Sequence, residues 1–190
     1  MIGYAKLYIM LPFRHPFTTI VSGQMGSGKM QFVMRLVDSA DTMIEPTPCK
    51  IVYYFVEYQP LFEHYEDRIE FHHGMPKADA IDRLIDALVG YDDLMDEADE
   101  KLTRIFTCGS HHRNVSVIFM VQNFFNKNRH MRTISLNAQY IVQFVHLAKQ
   151  LYPHNSRFAH KAYLRSDQDD DLRLRTSIFP GERQIVYVPK

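Results

Sequence analysis

The chain has 190 residues, of which 46% are hydrophobic, and its 22 Lys and Arg side chains equal its 22 Asp and Glu side chains. This length supports one sizeable core, so we expect one domain rather than two. Zero net charge excludes the strongly basic composition typical of many nucleic-acid-binding proteins. The charges are unevenly placed, because residues 1–126 hold 11 basic and 17 acidic side chains and residues 127–190 hold 11 and 5. This bias indicates either an anionic partner for the C-terminal third or ordinary solvated side chains.

Cysteine usage and hydropathy indicate the compartment. Cys49 and Cys108 are far apart, which fits a reducing environment and no disulfide framework. No apolar run approaches the roughly 20 residues that cross a bilayer, and the N-terminal segment lacks a small-residue cleavage site. We therefore expect a soluble intracellular protein with no membrane partner.

Strand and helix patterns alternate along the chain. The β-branched run 17–22 predicts a buried strand, and 29–40 has apolar residues at helical spacing. Further strands are predicted at 50–56, 68–71, 84–91, 115–121, 138–145 and 184–188, and further helices from Lys77 and at 94–107, 131–136 and 156–164. This alternation predicts an α/β fold with a mainly parallel sheet, whose ligands gather at the carboxyl ends of its strands.

A glycine-rich loop joins the first of these strands to the first helix. Its spacing is G-x-x-x-x-G-K, in the sequence Gly23-Gln24-Met25-Gly26-Ser27-Gly28-Lys29. Such a loop points backbone N–H groups at a phosphate, the helix N-terminus adds partial positive charge, and the lysine reaches the β- and γ-phosphates of ATP. The alternative is a turn that only connects the two elements. We interpret the loop, together with Met30, as nucleotide-binding.

Met30 departs from the usual pattern. A Ser or Thr normally follows the lysine, because its hydroxyl is a ligand of the Mg²⁺ that bridges the phosphates. A thioether is a poor ligand for such a hard cation. The ion must then rely on water, phosphate oxygens and one carboxylate, so we expect Met30 to limit turnover more than binding.

Two acids follow the predicted strand 84–91. We interpret Asp92 as the Mg²⁺ ligand and Asp93 as the base that polarises the attacking water. Alternatively, or in addition, the pair caps a helix that begins at Leu94. Gly90 lies just before them, and because glycine weakens strands, an irregular strand end is expected there.

The strand 115–121 has polar residues at both ends. Gln122 follows it and is suited to orient water against the γ-phosphate, although such residues also end strands for reasons of turn formation. Arg113 precedes it and would lie at the opposite edge of the sheet. It is either an arginine finger for a neighbouring subunit or an ordinary surface arginine.

The segments SGQMGSGK, YDDLMDEA and HHRNVSVIFMVQN, followed by MRTISLNAQYIV, resemble the FtsK/HerA type of DNA-translocating ATPase, in particular the packaging ATPases of Maverick/Polinton elements and related DNA viruses. The similarity spans about residues 17–145 and resumes at LRLRTSIFPGE. It implies a RecA/FtsK-like P-loop NTPase fold with three layers. One domain would cover 1–190, with a core at about 17–145 and a C-terminal extension at 146–190.

The resemblance also implies a function. ATPases of that type act as rings that pull double-stranded DNA, commonly into a preformed capsid. The implied cofactors are Mg²⁺ and ATP, and the implied partners are double-stranded DNA, further copies of the chain in a ring, and a capsid or portal protein, in a host nucleus or cytoplasm or in a virion. The implied roles are nucleotide binding by Gly23, Gly28 and Lys29, Mg²⁺ binding by Asp92, water activation by Asp93, γ-phosphate sensing by Gln122 and completion of a neighbour's site by Arg113.

Two other functions stay open. Met30, Gly90 and a region between Val145 and Leu172 that is shorter than expected depart from the family pattern. They are consistent with a nucleotide-binding interaction protein that no longer hydrolyses ATP. A small-molecule kinase on the same kind of sheet would need an acceptor pocket, which the sequence does not indicate.

Overall fold

The computed structural model describes residues 2–5, 12–94, 100–106, 113–124, 129–145, 159–164, 174–176, 178–182 and 185–189. The strands in these ranges are β1 Ile2–Ala5, β2 Phe13–Arg14, β3 Thr18–Ser22, β4 Ile44–Glu45, β5 Lys50–Phe55, β6 Glu70–His73, β7 Ala87–Asp92, β8 Val115–Val121, β9 Tyr140–Val145, β10 Ala159–Leu164, β11 Leu174–Thr176 and β12 Ile185–Pro189. The α-helices are α1 Lys29–Asp38, α2 Ala40–Met43, α3 Ala78–Asp82, α4 Glu100–Arg104 and α5 Arg129–Asn137, and a 3₁₀ helix covers Pro60–Tyr65.

Ten strands form one sheet in the order β1-β12-β11-β10-β9-β3-β8-β7-β5-β6. Neighbouring strands from β9 to β6 are parallel, and those from β9 to β1 are antiparallel. β2 and β4 pair separately. Because β3, β8, β7 and β5 are adjacent and parallel, their carboxyl ends meet at one edge of the sheet, as ligand sites in such folds require.

Two hydrophobic clusters cover the two faces of the parallel part of the sheet. One packs the buried side of α1 and α2 against β5, β7 and β8, and the other packs α4 and α5 against the opposite face. Helix α1 shows why this happens, since four of its six buried residues, Met30, Val33, Met34 and Val37, follow the helical spacing i, i+3, i+4, i+7. The predicted mainly parallel sheet flanked by helices is confirmed.

The predicted strands are found, but one predicted helix is wrong. The helix predicted at 156–164 is instead strand β10 from Ala159 onward, and 156–158 lie outside the described residues. Backbone pairing with β9 and β11 on its two sides outweighs the local helical spacing. Of the helix predicted at 94–107, the structure describes Glu100–Arg104, while 95–99 and 107 lie outside the described residues.

Gly90 does not make the end of β7 irregular. It pairs in register with Tyr53 on β5 and with Ile118 on β8. A Cβ at position 90 would lie only 2.5 Å from Cδ2 and 2.9 Å from Cε2 of Tyr53. Glycine is therefore required there because the tyrosine ring occupies the space of a side chain.

None of the helices in the described ranges has the length and apolar character needed to span a bilayer. The prediction of one domain, with a core at 17–145 and an extension at 146–190, stays a prediction. β1 nevertheless pairs with β12, so the described N-terminal strand joins the C-terminal part of the sheet.

Candidate nucleotide-binding site

A cavity of about 310 Å³ opens at the carboxyl ends of β3, β5, β7 and β8. It brings together the loop residues 25–30 and three polar side chains that the sequence predicts from other strands, Asp92, Asp93 and Gln122. Gln31, Val56, Glu57 and Gln59 complete the lining. The predicted site residues other than Gly23, Gln24 and Arg113 thus border one cavity.

The loop is held close to the sheet. The N–H of Gly23 donates to the carbonyl of Val121 at 3.1 Å. A Cβ at position 23 would lie 2.7 Å from Cβ of Phe144 and 2.7 Å from Oγ of Ser27, so only glycine fits. Gly28 has a φ of 94°, in the left-handed region that favours glycine.

Helix α1 begins directly after this loop. Its first turn contains no acidic side chain, so no side-chain charge of its own offsets the partial positive charge of the helix N-terminus. Backbone N–H groups at such a terminus form an anion site. The glycine loop and the helix start therefore suit a phosphate at the mouth of the cavity.

The Lys29 ammonium points back over the loop. Its Nζ donates to the carbonyl of Gly23 at 2.6 Å and to that of Gln24 at 3.2 Å. Burial lowers the pKa of Lys29, while the nearby carboxylates of Asp92 and Asp93 act in the opposite direction. The cation and both acids thus share one electrostatic environment, in which a phosphate could pair with the ammonium.

Asp92 ends strand β7 at the wall of the cavity. Burial raises the pKa of Asp92, and the charge of Asp93 raises it further, while a hydrogen bond from Tyr53 and the charge of Lys29 lower it. The net upward shift means that the ionised form of Asp92 is incompletely compensated by its neighbours. A cation beside it would supply the missing compensation.

Asp93 follows at a φ of 56°, a conformation that Asp tolerates better than most residues. Its Oδ2 accepts a hydrogen bond of 2.5 Å from Nε2 of Gln122. The structure thus joins the two residues predicted to act on water. No helix begins at Leu94 in the described residues, and the next described helix starts at Glu100.

The residues at the cavity fit Mg²⁺. Asp92 and Asp93 offer carboxylate oxygens, the donors that this hard cation prefers. Met30 is only 9% exposed and belongs to the hydrophobic cluster between α1 and the sheet. Its side chain therefore contributes to the hydrophobic core. This packing explains why the position after Lys29 can hold a residue that is a poor ligand for Mg²⁺.

Arg113 lies away from the cavity. It precedes β8, at the sheet edge opposite the loop, as the sequence predicts. Its guanidinium donates to the carbonyl of Ile81 at 3.0 Å and to Oδ1 of Asp82 at 2.5 Å. Its role toward a neighbouring subunit stays a prediction, and residues 107–112 of the polar loop before it lie outside the described residues.

The sequence interpretation missed Glu57 and Gln59. Both follow the carboxyl end of β5 and line the cavity beside the loop. Polar residues just after a parallel strand reach the same sheet edge as Asp92, but only the strand order shows that β5 lies beside β7. Glu57 adds a third carboxylate to the site.

Comparison with known proteins supports the fold. No protein-family model matches the chain, and no curated protein matches it. Among solved structures, a KaiC-like protein from the hyperthermophilic archaeon Pyrococcus horikoshii OT3 is 15% identical, with a TM-score of 0.55 over 98% of this chain and 100% of that one. The flagellar accessory protein FlaH from Methanocaldococcus jannaschii is 9% identical, with a TM-score of 0.58 over 93% of this chain and 92% of that one.

At these identities the similarity concerns the fold. Both structures have a mainly parallel, helix-flanked sheet of the RecA-like P-loop type. They support neither the FtsK/HerA identity nor the viral packaging role expected from the sequence. The chain has the RecA-like fold of P-loop ATPases.

Proposed function

We propose that the chain binds Mg²⁺-ATP in this cavity and hydrolyses it. The observation that carries the proposal is the convergence of the loop, Lys29 and the two acids at the end of β7, Asp92 and Asp93, on one cavity. A turn that only connected a strand to a helix would not need a partly buried lysine near two carboxylates. The RecA-like fold that the chain shares with the two solved structures is consistent with it.

Each group has a role that follows from its position. The loop N–H groups and Lys29 would bind the phosphates, and Asp92 would hold the metal ion. When bound, this ion would neutralise negative charge on the β- and γ-phosphates. Asp93 would accept a proton from the attacking water, with Gln122 fixing the carboxylate. Glu57 is the second candidate for this base, because its carboxylate lines the cavity without being assigned to the metal.

We further propose that hydrolysis drives translocation of double-stranded DNA by a ring of copies, for packaging into a capsid. This finer proposal rests on the sequence resemblance alone. It predicts stimulation of ATP turnover by double-stranded DNA and a rate that depends on assembly. Arg113→Ala should then lower the rate of the assembled protein, whereas Arg83→Ala, at a second arginine that contacts an acid of α3, should not.

A nucleotide-binding protein that does not hydrolyse ATP is the alternative, and the buried thioether of Met30 favours it. Calorimetric titration of ATP and steady-state hydrolysis, measured on one preparation with and without DNA, distinguish the two. Binding with turnover supports the ATPase. Binding without turnover supports the alternative, and absence of binding contradicts both.

A further inference from the structure

A second cavity, of about 440 Å³, is bordered by residues of β5, β6 and α3. Among the described residues, its lining shares none with that of the nucleotide cavity. Its volume lies within the range of about 300–1,000 Å³ that is usual for small-molecule sites. It is therefore a candidate ligand site separate from the one proposed for ATP.

Part of the wall of this second cavity is apolar and fixed in shape. Val52 and Tyr54 are buried and lie two residues apart on β5, so their side chains point to the same face of the sheet. The Tyr54 ring is stacked between those of His72 on β6 and Tyr91 on β7, at centroid distances of 5.3 and 5.4 Å. Leu84, buried just after α3, adds to the same apolar surface.

The lining carries more positive than negative charge. It contains three cations, Lys50, Lys77 and Arg83, and two acids, Glu70 and Asp79. Three positive charges less two negative charges leave one positive charge when the histidines are neutral. A monoanion would balance this charge, whereas a dianion would exceed it.

Lys77 and Arg83 are the cations available to such an anion. Lys50 is paired with Glu70, but Lys77 is exposed and has no ion-pair partner among the described residues. Nη2 of Arg83 lies 3.8 Å from Oδ2 of Asp79, and these side chains are 83% and 65% exposed. So exposed an ion pair contributes little, and a guanidinium can bind a carboxylate through two parallel hydrogen bonds.

We propose that this second cavity binds a small organic carboxylate. Lys77 and Arg83 pair with its carboxylate group. Its apolar body packs against Val52, Tyr54 and Leu84. A phosphate monoester fits less well, because it is nearly a dianion at neutral pH. The proposal is independent of the proposed function, since no residue of the nucleotide cavity takes part.

The probe is para-fluorophenylacetate, titrated by fluorine NMR and compared with its uncharged isostere para-fluorophenylacetamide. We expect the amide to bind at least about tenfold more weakly than the carboxylate, and Lys77→Ala and Arg83→Ala each to weaken carboxylate binding by about tenfold. Asp79→Asn should strengthen binding, because it removes an acid from the lining and frees Arg83. Arg132→Ala, at an exposed arginine of α5 outside the lining, is the matched control and should bind the carboxylate like the parent.

Lys29→Ala separates the two cavities and should bind the carboxylate like the parent. Thermal unfolding checks that each variant is folded, and a gain of affinity in Asp79→Asn cannot result from unfolding. Absence of binding to the parent, equal binding of the amide, or parent-like binding by either Lys77→Ala or Arg83→Ala would overturn the proposal. Weaker binding in Asp79→Asn would overturn it too, and so would a loss in Lys29→Ala, which would assign the probe to the nucleotide cavity.

Discussion

Gln122 donates a hydrogen bond of 2.5 Å from its Nε2 to Oδ2 of Asp93. The two residues directly follow neighbouring parallel strands, β8 and β7, and this bond fixes the orientation of the acid at the wall of the cavity. An amide can hold a carboxylate and position water in the same place. Asp93 is therefore either a base that this bond orients for catalysis or a residue that only holds Gln122 in place. In the second case, Glu57 is the alternative base.

Substitution of the two acids separates these roles. If Asp93 is the base, Asp93→Asn should lower kcat by at least about 100-fold, the contribution typical of general-base catalysis, with little change in ATP affinity. Glu57→Gln is the matched comparison, and it should have a much smaller effect. A large loss of kcat in Glu57→Gln together with near-parent activity in Asp93→Asn would transfer the role to Glu57.

Met30→Thr should raise kcat and lower stability at the same time. A hydroxyl would restore an oxygen near the metal, for which we expect a gain of about tenfold, or about 1.4 kcal/mol of barrier. Because Met30 is buried in the cluster under α1, the smaller side chain should also cost about 2 kcal/mol of unfolding free energy. ATP affinity should change less than kcat.

Met30→Leu is the control for the packing effect, because it keeps the volume and adds no hydroxyl. Its kcat should stay at the parent value. The comparison requires kcat over a Mg²⁺ titration and thermal unfolding of all three proteins. No gain for Met30→Thr at any Mg²⁺ concentration would favour the non-hydrolysing alternative.

Acid stability should depend on Asp86, at the sheet edge opposite the cavity. Its carboxylate accepts hydrogen bonds from Cys49 at 2.7 Å and Asn114 at 2.7 Å and contacts Nε2 of His15 at 3.0 Å. These contacts, that of Cys49 foremost, lower the pKa of Asp86. The stability from this shift is therefore present above the unfolded value of about 3.9 and is lost as the pH falls through the lower folded value.

Thermal unfolding between neutral pH and about pH 3 measures this contribution. Asp86→Asn should reduce the difference in Tm between the two conditions, because the substituted side chain no longer titrates. Asp79→Asn, at an exposed acid of α3, is the control and should leave the difference unchanged. An equal loss of Tm in the parent and in Asp86→Asn would contradict this assignment.

Local sequence patterns predict the parallel half of the sheet well. The strand at 115–121 has the predicted bounds, and the loop from Gly23 to Lys29 joins β3 to α1 as expected. These elements are encoded by continuous buried runs and by glycine spacing, which are local signals. The antiparallel strand β10 is not predicted, because its conformation depends on pairing with β9, a partner distant in sequence.

The site residues also divide into those that a local sequence pattern predicts and those that depend on a distant strand. Asp92 and Gln122 were predicted because each directly follows an apolar strand. Glu57 was missed because its importance depends on β5 lying beside β7, and strand order cannot be read from a local pattern. Gly90 was misinterpreted for a similar reason, since the ring that requires it belongs to Tyr53, on another strand.

The central claim is that the cavity at the end of β3 binds ATP through Lys29, and calorimetric titration of Lys29→Ala tests it most directly. The ammonium contacts only loop carbonyls in the described structure, so its removal should leave the Tm near the parent value. A hydrogen bond to a charged group contributes about 1.5–3 kcal/mol, so the ATP affinity of Lys29→Ala should be lower than that of the parent by at least about tenfold. Lys77→Ala, which changes an exposed lysine before α3, is the control and should bind ATP like the parent. A folded Lys29→Ala protein that binds ATP as tightly as the parent would contradict the account.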